Sequence, residues 1–430
     1  MLERLFHLSR NGTTVRTELV AGATTFLTMA YIVFVNPTIL ADAGMDRGAV
    51  FVATCLAAAI GTLLMGLYAN YPIALAPGMG LNAYFTYTVV GQMGYSWEVA
   101  LGAVFLSGAL FLLLSLTPAR DWVVDAVPQS LKLAISAGIG LFLAIIALKN
   151  AGIVAAHPAT LITLGDMHDP AVALAAAGFI AIVALERARI AGAVVIAVLG
   201  VTAAGVALDL SPFNGVVSAP PSIAPTFLAL DLAGAFQIGL LTVIFAFFFV
   251  DLFDNAGTLV GVCHRAGLMD AEKRLPRLRQ ALVAASVAAM AGAALGTSTT
   301  TSYVESAAGT NAGGRTGLTA VTVAALFLLV LFLAPLATTV PPYATAPALL
   351  FVACLMCRSI AEIDWDDPTE FAPAVVTMIA MPLTFSIATG IGFGFICYVA
   401  GKLVTGQRDR LNAGVVVLAA AFLVKFALVV

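Results

Sequence analysis

The chain has 430 residues, of which 61% are hydrophobic and only 10% are charged, whereas an ordinary soluble domain carries roughly 25% charged residues. Together with a mean hydropathy of +1.04, this composition excludes a soluble globular protein. It predicts an all-α polytopic membrane protein, a single unit over 1–430, surrounded by membrane lipid. The net charge of −3 is divided among loops, so the sequence offers no basic surface for binding a nucleic acid.

Apolar runs long enough to cross a hydrocarbon core of about 30 Å recur along the whole chain. We predict membrane spans at residues 17–40, 49–69, 97–116, 128–149, 170–186, 190–207, 234–258, 279–296, 317–337 and 343–360, and two more within 371–402. Two further segments, 76–91 and 296–314, are short and are interrupted by Gly, Pro, Ser or Thr. Counting each of these as a half-crossing gives about fourteen segments, numbered 1 to 14 in chain order, with the third and the tenth broken.

The last apolar segment, 412–429, is interrupted by Lys425. It either adds a crossing or lies along the membrane surface. At the other end of the chain, residues 1–20 are charged and lack a small-residue cleavage pattern. We therefore predict that the first span is retained rather than removed as a signal peptide.

Basic residues predict the orientation, because Lys and Arg gather on the cytoplasmic side of a membrane. Arg4, Arg10 and Arg16 lie before or at the start of the first span, and the richest internal basic loop, 264–280, follows segment 8. Smaller basic clusters follow segments 6, 12 and 14, so every internal cluster follows an even-numbered segment. We therefore predict a multi-pass protein of the cell (inner) membrane with a cytoplasmic amino terminus.

The two broken segments lie seven segments apart, and because seven is odd, the halves that contain them would be inverted relative to each other. Interrupted segments at corresponding positions of two inverted halves are typical of secondary transporters, and they mark a binding site near the middle of the bilayer. We therefore predict a 7+7 inverted repeat, with a first repeat at about 17–207 and a second at about 234–402.

Two carboxylates lie in the eighth span, in the stretch "AFFFVDLFDNAGTL" at 246–259. An ionised carboxylate in the bilayer costs about 2.5 to 3.5 kcal/mol on insertion scales, so such residues usually face a water-filled cavity or a partner. Asp251 and Asp254 are three residues apart and share one helical face, and Asn255 and Thr258 extend the polar surface. We interpret this face as part of a substrate or ion path, although either acid alone could pair with a neighbouring helix.

The broken segments contain further candidate residues. Glu305 is the one acid among hydroxyls and small residues in "TSTTTSYVESAAG", where an interrupted backbone exposes amide and carbonyl groups that a ligand can use. In "GMGLNAYF", Asn82 supplies an amide that both donates and accepts, while Gly78 and Gly80 allow close backbone approach. A planar heterocycle would suit this environment, and a helix cap is the alternative role for Asn82.

The motifs "APGMGLNAYF", "FVDLFDNAGTLVGV" and "GTSTTTSYVESAAGTNAGGRTGLTA" resemble those of purine permeases. These form the hypoxanthine, adenine and guanine branch of the nucleobase/ascorbate transporter (nucleobase:cation symporter-2) family. The resemblance covers nearly the whole chain and implies fourteen segments in two inverted sevens. It also implies a core domain (segments 1–4 and 8–11), a gate domain (segments 5–7 and 12–14) and secondary active, proton-coupled uptake of a purine nucleobase by alternating access.

The resemblance also assigns roles to single residues. The substrate acid of segment 8 corresponds to Asp254 or Asp251, and that of segment 10 corresponds to Glu305. In the uracil and xanthine branch a His commonly follows the first acid by one turn, whereas Thr258 occupies that position here. This departure argues against uracil, xanthine or ascorbate as substrate and leaves the choice among guanine, hypoxanthine and adenine open.

A carboxylate can accept two hydrogen bonds from the adjacent ring N–H and exocyclic groups of guanine or hypoxanthine. Since one acid could bind the base while another carries the coupled proton, Asp254, Glu305 and Asp251 are candidates for both roles.

The remaining candidates lie around these acids. Asn82 and Gly80 match positions that set specificity in the family that the chain resembles. Phe26, Phe85 or Tyr84 could stack on the base, although packing in the core is the simpler explanation for any single ring.

Other functions stay as alternatives. A uracil, xanthine or anion transporter of the same fold, or less readily a channel, would have a similar composition. An enzyme is not expected, because all four histidines fall in tails or loops and no metal or catalytic cluster emerges. We interpret Cys354 and Cys357, within one predicted span, as packing residues. No cofactor is predicted apart from a coupling ion, H+, and the small-residue helix faces suit packing within one chain or in a homodimer.

Overall fold

The computed structural model describes residues 2–117, 127–236, 238–270 and 274–428. Within these ranges, ten helices are long and apolar enough to cross a membrane. The predicted segments 3 and 10 are not among the ten because each is divided into shorter elements, and segments 7 and 13 are slightly shorter helices. An element therefore lies at every predicted segment.

The first half of the chain begins with a short helix, Leu2–Phe6. The helices that follow are Val15–Met29 and Ile32–Ala41 (segment 1), Arg47–Leu64 with a π-helical turn Met65–Ala69 (segment 2), Trp97–Leu116 (segment 4), Gln129–Asn150 (segment 5), Pro170–Arg187 (segment 6) and Ala193–Ala207 (segment 7).

The second half contains the longest helix of the described residues. Its helices are Leu232–Ala235 and Ile238–Arg265 (segment 8), Leu278–Leu295 (segment 9), Gly317–Val330, Leu331–Leu333 and Ala334–Thr339 (segment 11), Pro342–Met356 and Cys357–Glu362 (segment 12), Pro368–Thr384 (segment 13), Ile387–Val404 (segment 14), a turn Arg408–Arg410 and the final helix Ala413–Leu428.

Four short strands complete the described structure: β1 Leu75–Pro77, β2 Val154–His157, β3 Leu161–Leu164 and β4 Thr300–Ser302. Strands β2 and β3 form an exposed antiparallel hairpin between segments 5 and 6. This hairpin was not predicted from the sequence, because its short strands lack a polar and apolar alternation that would separate them from a loop.

Segments 3 and 10 are broken, as predicted. Segment 3 consists of β1, the short helix Met79–Ala83 and a π-helical stretch, Tyr84–Gln92, while segment 10 consists of β4 and the short helix Ser306–Asn311. Strands β1 and β4 pair antiparallel, with Ala76 opposite Thr301. Since backbone groups within a bilayer need internal partners, each broken segment supplies hydrogen bonds that the other lacks.

Segment 1 differs from the single predicted span, because its helix breaks at Ala30 and Tyr31. The amides of Val33 and Phe34 donate to carbonyls three residues back, at 3.2 and 3.1 Å, a tighter turn than that of an α-helix. Pro37 follows inside the second helix, where it removes one more backbone hydrogen bond. The break sets Tyr31 against segment 10, which the spacing of apolar residues could not indicate.

The segments pack in two groups. In the first helix group, defined as segments 1–4 and 8–11, segment 9 packs on segments 2 and 4, and segment 11 packs on segments 1 and 2. In the second helix group, defined as segments 5–7 and 12–14, segments 12 and 13 pack on segment 5, and segment 14 packs on segment 13. Contacts between the groups are fewer and include Met79–Ala83 against segment 5. The broken segments thus lie in the first group, next to the second.

The final helix packs along segment 14 in the antiparallel direction. The Phe422 ring stacks on Phe395 with centroids 6.3 Å apart, and one turn later Phe426 contacts Phe393 at 5.1 Å. The 16 residues of this helix span about 24 Å at 1.5 Å per residue. Of the two placements left open by the sequence, this packing favours a crossing over a helix along the membrane surface.

Several connections meet at one face of the molecule, here called the amino-terminal face. The Asn70 side chain, after segment 2, donates to Phe6 O (3.3 Å) and accepts from Gly317 N (2.7 Å), while its carbonyl accepts from Arg277 (3.2 Å). The amino terminus, the connection after segment 2 and the starts of segments 9 and 11 therefore share one face. This is the arrangement that an even number of crossings before each basic loop requires.

Candidate functional site

The pairing of β1 with β4 forms the centre of the site. The Gly78 N–H, just after β1, donates to Thr299 O at 2.9 Å, and a Cβ on Gly78 would lie 2.7 Å from Cγ2 of Thr301. Only glycine therefore allows this approach without a shift of the neighbouring strand. The close approach predicted for Gly80 is to another element, because a Cβ there would overlap Cγ2 of Ile139 on segment 5.

Segment 8 reaches the strand pair through polar side chains. Asp254 Oδ2 accepts a hydrogen bond from the Thr301 hydroxyl of β4 (3.1 Å), and Asn255 Oδ1 accepts from the N–H (2.9 Å) and hydroxyl (2.7 Å) of Ser302. Asp254 is half-buried, whereas Asn255 is fully buried. Asp254 is thus the acid of this segment that is open to a ligand beside the strands.

Asp251 lies one turn earlier and is completely buried. Its Oδ1 accepts a hydrogen bond from the Asn255 amide at 2.8 Å, while its buried Oδ2 has no hydrogen-bond partner among the described residues. The Thr301 hydroxyl has a single proton, and that proton is donated to Asp254. Asp251 therefore presents one uncompensated buried oxygen, which is costly in a low-dielectric interior.

Glu305 lies at the start of the helix Ser306–Asn311, where its backbone has left the strand. It is half-buried, and its Oε1 accepts a hydrogen bond of 2.8 Å from the Tyr31 hydroxyl at the break in segment 1. The Thr28 hydroxyl also approaches the Glu305 carbonyl, at 3.5 Å. Asp254 of segment 8 thus contacts the strand of segment 10, Glu305 lies just beyond that strand, and Tyr31 orients Glu305.

Asn82 lies within a buried polar network that connects segments 1, 2 and 3 with the turn before β4. Its amide donates to Asn36 Oδ1 at 2.5 Å, and its Oδ1 accepts from the Ser298 hydroxyl. Asn36 in turn donates to the hydroxyls of Thr54 (2.7 Å) and Thr297 (2.9 Å). Asn82 is thus held by protein on both functional atoms, and its position inside the helix Met79–Ala83 is not that of a cap.

The other predicted residues lie around these acids. Thr258 follows Asp254 by one turn and is half-buried. Phe26 packs edge-on against Phe327 with ring centroids 5.2 Å apart, and Phe85 is completely buried. Both rings are therefore packed against protein in this conformation.

Three residues with a structural role at the site were not predicted from the sequence: Tyr31, Asn36 and Glu18. The Glu18 carboxylate is fully buried and accepts from Arg315 N (2.9 Å), Thr319 N (3.1 Å) and the Thr319 hydroxyl (2.6 Å). It therefore ties segment 1 to the start of segment 11, where free backbone N–H groups favour a negative charge. Its presence at the start of an apolar span was a signal that could have identified it.

A cavity of about 370 Å³ opens at the face opposite the amino-terminal face. It lies where the end of segment 3 and the start of segment 8 meet the junction of segments 13 and 14. Tyr84, on its wall, contacts Phe247 with ring centroids 5.2 Å apart, and Phe247 lies one turn before Asp251. The contact between Tyr84 and Phe247 therefore connects the cavity wall with the part of segment 8 that carries Asp251.

Solved structures with the same architecture show the class of fold. The chain superposes on the transmembrane domain of a cyanobacterial bicarbonate transporter, BicA, with a TM-score of 0.66 at 16% identity, covering 87% of this chain and 96% of that one. It superposes on the murine anion transporter Slc26a9 with a TM-score of 0.63 at 11% identity, covering 89% and 68%. The fold is the 7+7 inverted repeat predicted from the sequence.

Sequence comparison gives the family. A profile described as "Permease family" matches residues 16–393. The chain is 49% identical to the adenine permease AdeP of Escherichia coli over 99% of this chain and 96% of that protein. It is 46% identical to the guanine/hypoxanthine permease PbuG of Bacillus subtilis over 96% of each. The chain therefore belongs to this permease family, the nucleobase/ascorbate transporters that its motifs resemble. The protein is thus a transporter rather than an enzyme.

Proposed function

We propose that the protein takes up purine nucleobases across the cell membrane by secondary active transport, with the base bound between Asp254 and Glu305. The observation that carries this proposal is that both acids lie at segment 10, since Thr301 in β4 donates to Asp254 and Glu305 lies three residues after the end of β4. Carboxylates pair well with the ring N–H and exocyclic groups of a purine. The relatives named as adenine and guanine/hypoxanthine permeases support purines as the substrate class.

The coupled ion in this proposal is a proton carried by Asp251. Support comes from its position one turn from Asp254 and from its buried Oδ2 without a hydrogen bond. A proton on that oxygen removes an uncompensated charge from the interior. The acids therefore have separate roles in this proposal. Asp254 and Glu305 contact the base, and Asp251 gains and releases the proton beside them.

Transport would proceed by alternating access, with the first helix group as core and the second as gate. The sparse contacts between the groups support this division, and the Gly80 contact with Ile139 lies on the surface along which they would slide. In this proposal the protein lies in the inner membrane. Its amino terminus is cytoplasmic, because the basic loops follow even-numbered segments. Exposed apolar side chains such as Ile180 and Leu383 would contact lipid.

Uptake of labelled compounds tests the proposal directly. Cells that lack their own purine carriers would be given adenine, guanine, hypoxanthine, xanthine, uracil or bicarbonate, with and without a protonophore. We expect saturable accumulation of at least one of adenine, guanine and hypoxanthine that the protonophore abolishes. Accumulation of bicarbonate or uracil but of no purine would overturn the substrate class, and accumulation unaffected by the protonophore would overturn the coupling.

A further inference from the structure

The final helix contributes a charged residue to the cavity at the face opposite the amino-terminal face. Lys425 is the single charged side chain of Ala413–Leu428, and it lines the cavity beside Thr389 of segment 14. It is half-buried, lies 5.7 Å from the Phe426 ring centroid and forms no ion pair among the described residues. An ammonium group within an apolar helix is costly unless it faces water or a ligand. The cavity provides such an environment for Lys425.

Most of the other side chains in the cavity wall carry polar groups, although Met93 and Val243 also line it, and they come from both helix groups. Thr88 and Gln92 belong to segment 3, and Thr384, Ser386 and Thr389 belong to segments 13 and 14. These side chains carry hydroxyl or amide groups that both donate and accept. The volume of about 370 Å³ falls within the range of small-molecule sites, roughly 300 to 1,000 Å³.

Two hydrogen bonds cross between the helix groups at this cavity. The Thr88 hydroxyl donates to Phe385 O, and the Gln92 amide donates to Thr384 O at 3.4 Å. The Phe385 backbone has a positive φ of 47°, which directs the chain from segment 13 into segment 14. A molecule in the cavity would therefore contact both groups before it reaches the acids.

We propose that this cavity is an outer binding site for the incoming nucleobase, in which Lys425 donates to the acceptor edge of the base. The proposal rests on the proposed function, which makes this face external. Guanine presents adjacent N7 and O6 acceptors, whereas adenine presents N7 beside an N–H donor. Since an ammonium only donates, Lys425 favours guanine and hypoxanthine, whose six-position also carries an oxygen, over adenine.

Kinetics of three variants test the proposal. Lys425→Met removes the charge and keeps the length, Lys425→Arg keeps the charge, and Lys149→Met removes a charge from the same face outside the cavity wall, where Lys149 lies 5.8 Å from the Tyr87 ring. For Lys425→Met we expect the KM of hypoxanthine uptake to rise about tenfold, the scale of one hydrogen bond to a charged group. The KM of adenine should rise less, and maximal rates should stay within about twofold.

Some results of the same kinetic measurements would contradict the proposal. A Lys425→Met protein with the KM values of the wild type overturns the outer site, as does an equal rise in Lys149→Met. Since the wild type would still accumulate purines in that case, the proposed function would survive. Absence of purine uptake by the wild type would instead reject the proposed function and the outer site with it.

A labelling experiment tests the location without relying on transport. Lys425→Cys would be treated in intact cells with membrane-impermeant thiol reagents, one carrying a quaternary ammonium and one a sulfonate, with wild-type labelling as background. We expect the cysteine to be labelled from outside and hypoxanthine to slow the rate of labelling. The KM for hypoxanthine should return to a low value only after labelling with the ammonium reagent. The same labelling in an Asp254→Asn background, in which we expect no uptake, separates this site from the inner one. A cysteine that is unreactive from outside, or a rate unaffected by saturating hypoxanthine, would overturn the proposal.

Discussion

The Tyr31 hydroxyl donates a hydrogen bond of 2.8 Å to Oε1 of Glu305, and the break in segment 1 thereby orients the acid of segment 10. One carboxylate oxygen is thus held before a ligand arrives, while the other is left to accept from it. A pre-oriented acceptor loses less freedom when it binds, so we expect the phenol to increase affinity without contacting the base.

Tyr31→Phe tests this orientation. We expect the KM for purine uptake to rise by about tenfold or more, because hydrogen bonds to charged groups contribute about 1.5 to 3 kcal/mol, with a maximal rate close to that of the wild type. Tyr303→Phe is the matched control, since that phenol donates to Pro77 O at 2.6 Å instead of to an acid. It should lower the Tm with little change in KM. If Tyr31→Phe has the kinetics of the wild type, the Tyr31 hydroxyl does not orient Glu305 for binding.

Asp251 and Asp254 should separate proton coupling from binding. Asp251→Asn keeps the hydrogen bond from Asn255 but cannot titrate, so we expect exchange of bound purine to persist while accumulation driven by a pH gradient is lost. Asp254→Asn and Glu305→Gln should each abolish accumulation, and binding by ligand-induced thermal shift should weaken in both. Vesicle uptake across pH measures the coupling. If Asp251→Asn still accumulates purine in response to a pH gradient, the coupled proton is carried by Asp254 or Glu305 instead.

Asn82→Ala should destabilise the protein as well as alter its specificity. The substitution leaves the Asn36 carbonyl and the Ser298 hydroxyl without their partner, and each such buried loss costs about 1 to 3 kcal/mol. We expect a lower Tm together with a higher KM or a changed order of purine preference. Asn36→Ala is the comparison, because it disrupts the same network from segment 1. If Asn82→Ala lowers the Tm but keeps wild-type kinetics for every purine, Asn82 is a structural residue.

The approach of Gly78 to Thr301 predicts a rescue. Gly78→Ala places a Cβ 2.7 Å from Cγ2 of Thr301, so the strands must separate and uptake should fall at least tenfold, in line with the sensitivity of bound geometry to small displacements. Thr301→Ser removes that Cγ2 and keeps the hydroxyl that donates to Asp254. The double variant should therefore recover much of the uptake that Gly78→Ala loses. Equal activity of the single and double variants would show that the contact is not limiting.

The direction of the final helix gives a prediction about topology. Reporters at the amino terminus and in the loop 264–280 should be cytoplasmic, whereas reporters in the loop 211–227 and at the carboxyl terminus should be external. An odd number of crossings follows from the antiparallel packing of the final helix on segment 14. External labelling of the loop 264–280 would reject the proposed orientation, and a cytoplasmic carboxyl terminus would reject the last crossing.

The sequence predicted features that depend on local pattern and missed those that depend on distant contacts. Length and polarity identified the spans, and the interruption by small and hydroxyl residues identified both broken segments. Asp254 and Glu305 drew attention because acids are rare in lipid. The bond from Tyr31 to Glu305, however, joins residues 274 positions apart, and the Asn82 network joins four segments. Neither has a periodicity, so only the folded chain shows them.

The pairing of β1 with β4 also constrains how the protein is made. Strand β1 leaves the ribosome more than two hundred residues before β4, a delay of roughly ten seconds or more at usual elongation rates. During that interval the backbone of β1 has no partner strand, and hydrocarbon offers none. Water or the insertion machinery must therefore supply hydrogen bonds to β1 until the second repeat has been synthesised. The two repeats consequently complete their folding together.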